Sequence, residues 1–338
     1  MKLATYLHEN SPGWGVVNRG RITPVRVTTE AGEVIDSMDA YLRHLPDSNT
    51  LVKDFAATQD AGLALEEVTL LAPVPRPAAL LDCAVSPRHI RQASETLIRR
   101  SLPWPLRPAS TAVGVAIRYL FSLQGDTLRY YKGRVSSVVG DGAVIPWPRW
   151  ISYLDVEPEL AVVVGDVPRG ASRTQAAECI AGYTVFNDVS GRDLQLSEMF
   201  GFGLSASKDM DAGNVLGPWL VTPDQVGDAR TLAVDVKFAD GRHWQGSTTE
   251  YVMDPVDVIV ELAARQSLAA GTVIGMGTVP DTCGLDRDEW VSPGSVEITI
   301  EHVGTLRQII DAPTHLDPTR WTPRPSIIAN SNGDFSRT

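Results

Sequence analysis

Apolar and polar positions along the chain alternate over short stretches more often than they follow a helical period, so the pattern predicts more strand than helix. Residues 25–35 alternate between turn signals, and 72–78 (APVPRPA) reads as a linker closing a small β-rich unit over 1–75. The next elements are a buried strand at 79–85 and a polar helix over 89–100. The SLPWPLRP passage then breaks regularity, and 112–131 fits no single element. The β-branched run 160–164 ends at Gly165, Ser172 can cap a helix through Ile180, and Gly182 precedes a strand at 183–186. A hairpin is predicted around Asp240-Gly241, a helix begins at Asp254-Pro255 with Gly271 as its stop, and 296–310 forms a final hairpin. From Ala312 the chain is rich in Pro, Ser, Thr and Asn and is expected to be extended or partly mobile. The expected division is therefore 1–75, 76–311 and a 312–338 tail, in a mixed β-rich α/β class without regular βαβ alternation.

Composition changes this picture little, but charge narrows the partners. A formal net charge of −11 excludes the basic face that nucleic acid or an anionic membrane needs. A small anionic substrate asks only for a local pocket of cations. The first residues, MKLATYLHEN, lack an apolar signal segment, and the longest apolar runs are too short to cross a bilayer. Cys83, Cys179 and Cys283 have neither disulfide-framework nor zinc-ligand spacing, so a reduced cytoplasmic location is expected.

The chemistry gathers in two segments. In Leu154-Asp155-Val156-Glu157-Pro158-Glu159-Leu160, strand alternation would point Asp155, Glu157 and Glu159 one way. A bound cation would turn their repulsion into binding energy; taken alone, the segment reads equally well as a solvated strand face. Pro158 places it at an edge, a bulge or a strand start. In Asn187-Asp188-Val189-Ser190-Gly191-Arg192-Asp193-Leu194-Gln195, a helix starting near Asp188 would align Asp188, Arg192 and Gln195; an ordinary capped helix with an internal ion pair reads as well.

Together, EPELAVVVGDVPRG followed by AGYTVFNDVSGRDLQ resembles the core signature of the fumarylacetoacetate hydrolase family. The resemblance implies that Glu157, Glu159 and Asp188 bind a divalent cation, and that Arg192, Gln195 and Lys208 of SASKDMDAGNVLGPWL surround the substrate. Gly275-Met276-Gly277-Thr278 resembles the family's Gly-Thr turn, which offers Thr278 to a substrate oxygen. Asp82-Cys83-Ala84-Val85-Ser86-Pro87-Arg88-His89 resembles the segment carrying a fourth metal-binding Asp (Asp82) and the catalytic His (His89). Tyr131-Lys132-Gly133-Arg134-Val135-Ser136-Ser137 points in the same way to Tyr131 as a substrate contact. The family's His is oriented by a Glu; Gln92 stands at one expected position, which leaves Glu289 or Glu95, and the aromatic residue expected after the fourth ligand is replaced by Ala84.

The implied fold is a β-sandwich roll preceded by a small β-barrel-like domain, assembled as a homodimer. The implied reaction is hydrolytic cleavage of a carbon–carbon bond in a 1,3-dicarbonyl acid, with His89-activated water, a metal-stabilised enolate leaving group, and Mg²⁺ or Ca²⁺ (Mn²⁺ also fits) as the cation. A decarboxylase, hydratase or isomerase acting through the same kind of enolate, or a non-catalytic binding protein, are the competing expectations.

Overall fold

The computed structural model describes residues 1–59, 62–122, 128–201, 203–322 and 324–329. Its largest sheet runs, strand beside strand, from Leu63–Ala64 through Arg21–Pro24, Ser11–Asn18, Lys2–His8, Asn214–Val221, Ile180–Asp188, Pro158–Val164, Thr272–Gly275 and Ala79–Cys83 to Tyr130–Lys132. Most pairs are antiparallel, but Thr272–Gly275 runs parallel to Ala79–Cys83 with Gly275 beside Asp82. A second sheet, Ala143–Ile145, Gly304–Ile310, Gly294–Ile300, Ala233–Phe238 and His243–Ser247, contains both predicted hairpins.

Pro158–Val164 shows why the layers stack as they do. Leu160, Val162 and Val164 face one core, which the second sheet closes with Val236, Ile298 and Leu306. Ala161 and Val163 face a second core filled from the N-terminal segment by Leu3, Trp14, Val16 and Tyr41. A continuous β-branched run is what a strand covered on both faces requires.

The N-terminal strands, expected as a small β-barrel-like domain, do not close into a barrel. Lys2–His8 gives one edge first to Asn214–Val221 and then to Thr69–Leu70, so these strands extend the large sheet instead of closing on themselves.

Helices depart from expectation mainly at their ends. Pro87–Ser101 covers the predicted helix, and Ser86 caps it by accepting from His89 N at 3.3 Å. The unassigned region supplies the Ser110–Ser122 helix. Arg173–Glu178 carries the predicted Ser172 cap but ends early, and the following strand already begins at Ile180. Pro255–Ala263 likewise ends well before Gly271. The described part of the tail, 312–322 and 324–329, is irregular but packed: Trp321 is buried with its ring centroid 4.9 Å from that of Tyr153; the rest of the expected tail lies outside the described residues. Among the described residues no helix is long and apolar enough to cross a membrane.

Candidate active site

Three neighbouring strands deliver the acidic residues. Asp82 comes from Ala79–Cys83, Glu159 from Pro158–Val164, and Asp188 closes Ile180–Asp188. Asp188 is therefore a strand end; the expected helix starts later, at Arg192. Asp82, Glu159 and Asp188 are buried, and each offers an oxygen within 4.8 Å of the others. Burial raises the pKa of all three, and their mutual charges push Asp82 and Glu159 up further. Asp82 Oδ1 is buried without a hydrogen-bond partner among the described residues. A Cβ on Gly275 would lie 2.6 Å from Glu159 Oε2 and 2.7 Å from Asp82 Oδ1, so only glycine leaves the two carboxylates room to meet. Three crowded carboxylates, one oxygen unpartnered, and a donor set made only of oxygen fit a hard divalent cation.

Glu157, expected as a fourth ligand, is held differently. Pro158 opens its strand, as anticipated, so Glu157 precedes the regular alternation. Its Oε1 accepts from Arg192 Nη1 at 2.7 Å, and its Oε2 accepts from Ser190 Oγ at 2.8 Å and from Lys208 Nζ, which also donates to Asp188 Oδ2. Burial alone would raise its pKa, but Arg192, Lys208 and His89 hold it well below the usual carboxylate range. Arg192 is itself buried, with Nε on Asp155 at 2.8 Å, Nη1 also on Gln195 Oε1 at 3.0 Å, and Nη2 without a partner among the described residues.

His89 sits in the first turn of Pro87–Ser101. Its Nδ1 lies 2.8 Å from Asp286 Oδ1 and its Nε2 3.7 Å from Glu157 Oε1. Burial would depress its pKa, yet the charge and hydrogen bond of Asp286, with Glu157, leave it raised. The expected partner Glu289 is corrected by this geometry: its carboxylate accepts from Trp244 Nε1 at 3.1 Å and lies 3.5 Å from Arg287. Six positions after His89 in the same helix, Glu95 falls on a different face.

Two residues escaped the sequence reading. Asp286 lies on the one-turn helix Gly284–Arg287, far from His89 in the chain. Asp155, which strand alternation only grouped with Glu157 and Glu159, is fully buried. It accepts from Gly284 N at 2.8 Å and Leu285 N at 2.9 Å while gripping Arg192. It thereby ties the turn bearing Asp286 to the guanidinium on Glu157. Only its spacing from Glu157 hinted at this.

The remaining predicted residues converge on the same place. A cleft of about 440 Å³ is lined by His89, Tyr131, Glu157, Gln195, Lys208 and Thr278 among others. Tyr131 donates to Asp188 Oδ2 at 2.6 Å, so it touches a candidate ligand directly. Gly277, at φ 92°, turns its N–H onto Glu159 Oε2 at 2.9 Å and leaves Thr278 in the lining.

The family model described as fumarylacetoacetate (FAA) hydrolase C-terminal matches residues 121–311, more than half of the chain. The chain belongs to the fumarylacetoacetate hydrolase family. Asp82 and His89 lie upstream of the matched stretch. An uncharacterized protein of Staphylococcus epidermidis is 30% identical over 188 residues, which is 55% of this chain and 62% of that relative's length. Among solved structures, a 2-hydroxyhepta-2,4-diene-1,7-dioate isomerase from Mycobacterium marinum superposes with TM-score 0.63 at 21% identity, covering 92% of this chain and 98% of that one. Maleylpyruvate hydrolase from Sphingobium sp. SYK-6, in complex with manganese(II) ion and pyruvate, gives TM-score 0.64 at 22% identity over 92% of this chain and 98% of that one. These identities establish a shared fold: the sheet-rich mixed α/β architecture of the fumarylacetoacetate hydrolase family.

Proposed function

We propose that the chain is a divalent-metal-dependent hydrolase that cleaves a carbon–carbon bond of a small anionic 1,3-dicarbonyl (diketo) acid. The observation that carries this reading is His89, held at 2.8 Å by Asp286 and facing Glu157, in a cleft beside the Asp82, Glu159 and Asp188 carboxylates. Asp82, Glu159 and Asp188 would hold the cation, joined by Glu157 where an oxygen is released from Arg192, Ser190 or Lys208; Mg²⁺, Ca²⁺ and Mn²⁺ all suit oxygen donors. When bound, it supplies Lewis-acid polarisation of the substrate's carbonyl oxygens. His89 Nε2 takes a proton from water, while Asp286 keeps the other ring proton on Nδ1 and stabilises the imidazolium. The water oxygen bonds to one carbonyl carbon, the adjacent carbon–carbon bond breaks, and its electron pair leaves as an enolate that is then protonated. Arg192 and Lys208 stabilise the negative oxygen that develops, with Gln195 orienting Arg192, and Thr278 and Tyr131 contacting the substrate.

The manganese and pyruvate in the Sphingobium maleylpyruvate hydrolase support a cation and a keto acid in this fold. Isomerases share the fold too, so product analysis decides. Incubating the metal-loaded protein with acylpyruvates and fumarylpyruvate should yield an acid and pyruvate by mass spectrometry, with oxaloacetate as the probe for decarboxylation. An isomerised or decarboxylated product alone would overturn the hydrolase. His89→Ala should abolish turnover with metal binding retained; full activity in that variant would sink the assignment. The reading includes a cytoplasmic homodimer, whose assembly light scattering on the purified chain tests.

A further inference from the structure

We infer that the substrate carries an apolar acyl substituent, and not a second carboxylate, at the end that lies away from the charged cluster. This rests on the diketo-acid reading above. The cleft is divided by its chemistry. Beyond His89, Ile90, Ala93 and Leu97 follow at helical spacing and all line it, so they form one wall. That wall runs away from His89 for about 10 Å, at 1.5 Å per residue. Met199, Leu204 and Leu285 complete an apolar lining. Ala93, Leu97 and Leu285 are buried, with their side chains packed into the fold.

Size points the same way. Even at the roughly 30 Å³ that a water molecule occupies in the liquid, the six heavy atoms of a pyruvyl head fill less than half of a cleft of about 440 Å³. The methyl of Ala84, where the family resemblance leads to an aromatic ring, takes up little of the remainder. Charge decides what fills it. Outside the cluster around Glu157, Arg129 is the one charged lining residue among those described; it is exposed and engaged in a contact of its own. A terminal carboxylate lying on the Ile90–Ala93–Leu97 wall would lose its hydration with no cation from that wall to replace it. An alkyl or aryl group gains from the same surface.

The test is a chain-length series on the metal-loaded wild-type protein: acetylpyruvate, butanoylpyruvate, hexanoylpyruvate, and an acylpyruvate of hexanoyl length ending in a carboxylate. The expected result is a kcat/KM that rises by up to about fourfold for each methylene buried, with the carboxylate-ended compound at least about tenfold below hexanoylpyruvate. Ile90→Lys should reverse that order, and the wild-type series stands by itself if the variant does not fold. A carboxylate-ended substrate that matches or beats hexanoylpyruvate, and loses its advantage in Arg129→Gln, overturns the inference while leaving the hydrolase intact. Cleavage of no acylpyruvate by protein that binds metal removes the diketo-acid reading and this inference with it.

Discussion

An imidazole whose Nδ1 lies 2.8 Å from a carboxylate with no exposed side-chain surface has little choice of tautomer: the proton stays on Nδ1 and Nε2 is left to accept. Asp286→Asn removes the charge that keeps the His89 pKa raised, so burial should then pull it below its present value, a shift that NMR titration of the ring reads directly. On the proposed reaction, kcat should also fall by about 10²- to 10⁴-fold, whereas Glu289→Gln should cost little because that carboxylate serves Trp244 and Arg287. The linkage has a definite sign. A raised histidine pKa adds stability below the unfolded value and loses it as pH rises through the folded value, so Asp286→Asn should flatten that slope in thermal unfolding. His89 and Asp82 were legible because they sit at a fixed short spacing in one segment. Asp286 was not, because its one-turn helix carries no pattern of its own and its place is set by Asp155 capping the turn from 130 residues upstream. Proximity in sequence led to Glu289, three positions too far.

At the scale of elements, the acidic cluster depends on Thr272–Gly275 lying between the strands that carry Glu159 and Asp82. Gly275→Ala would force a methyl between those carboxylates, so the variant should fold yet lose the rise in Tm expected of the wild-type chain with Mg²⁺ or Mn²⁺. For the wild-type chain that rise corresponds to about 2.7 kcal/mol at a hundredfold excess over Kd. Gly277→Ala fails differently: its φ of 92° and a Cβ 2.4 Å from Cys83 O set backbone strain against it, for a loss of about 1–3 kcal/mol in denaturant unfolding. The raised pKa values of Asp82, Glu159 and Asp188 mean that protons and cation compete for one cluster. Metal binding should therefore release protons and weaken as pH falls. Calorimetry in buffers of different ionisation enthalpy measures the release, and a binding enthalpy independent of buffer would refute it. The glycines and carboxylates were all visible in the sequence. What was not visible is where Glu157 turns once Pro158 has placed it ahead of the strand: its side chain meets Arg192 and Lys208.

For the whole molecule, the consequential feature is the pair of cores on either side of Pro158–Val164. The unbroken apolar run there suits a strand buried on both faces, but no local pattern could reveal that its second cover comes from the first 75 residues. The expected division at 1–75 and 76–311 falls between segments that share both a sheet and a core. Leu3, Trp14 and Tyr41 pack with Ala161, Val163, Phe186 and Leu216, and Lys2 pairs with Val221. A chain beginning at residue 76 would expose those apolar side chains together with an edge of the strand Asn214–Val221, a surface prone to pairing with other chains. It should accumulate as aggregate, or melt without a cooperative transition, and lose metal binding even though every proposed ligand is retained, because Glu159 and Asp188 stand on the two strands whose second face is stripped. Circular dichroism melting and metal titration of that shortened chain test this. A cooperative, metal-binding product would mean that the strands before residue 76 are an accessory, and that the second core is not needed to set the site.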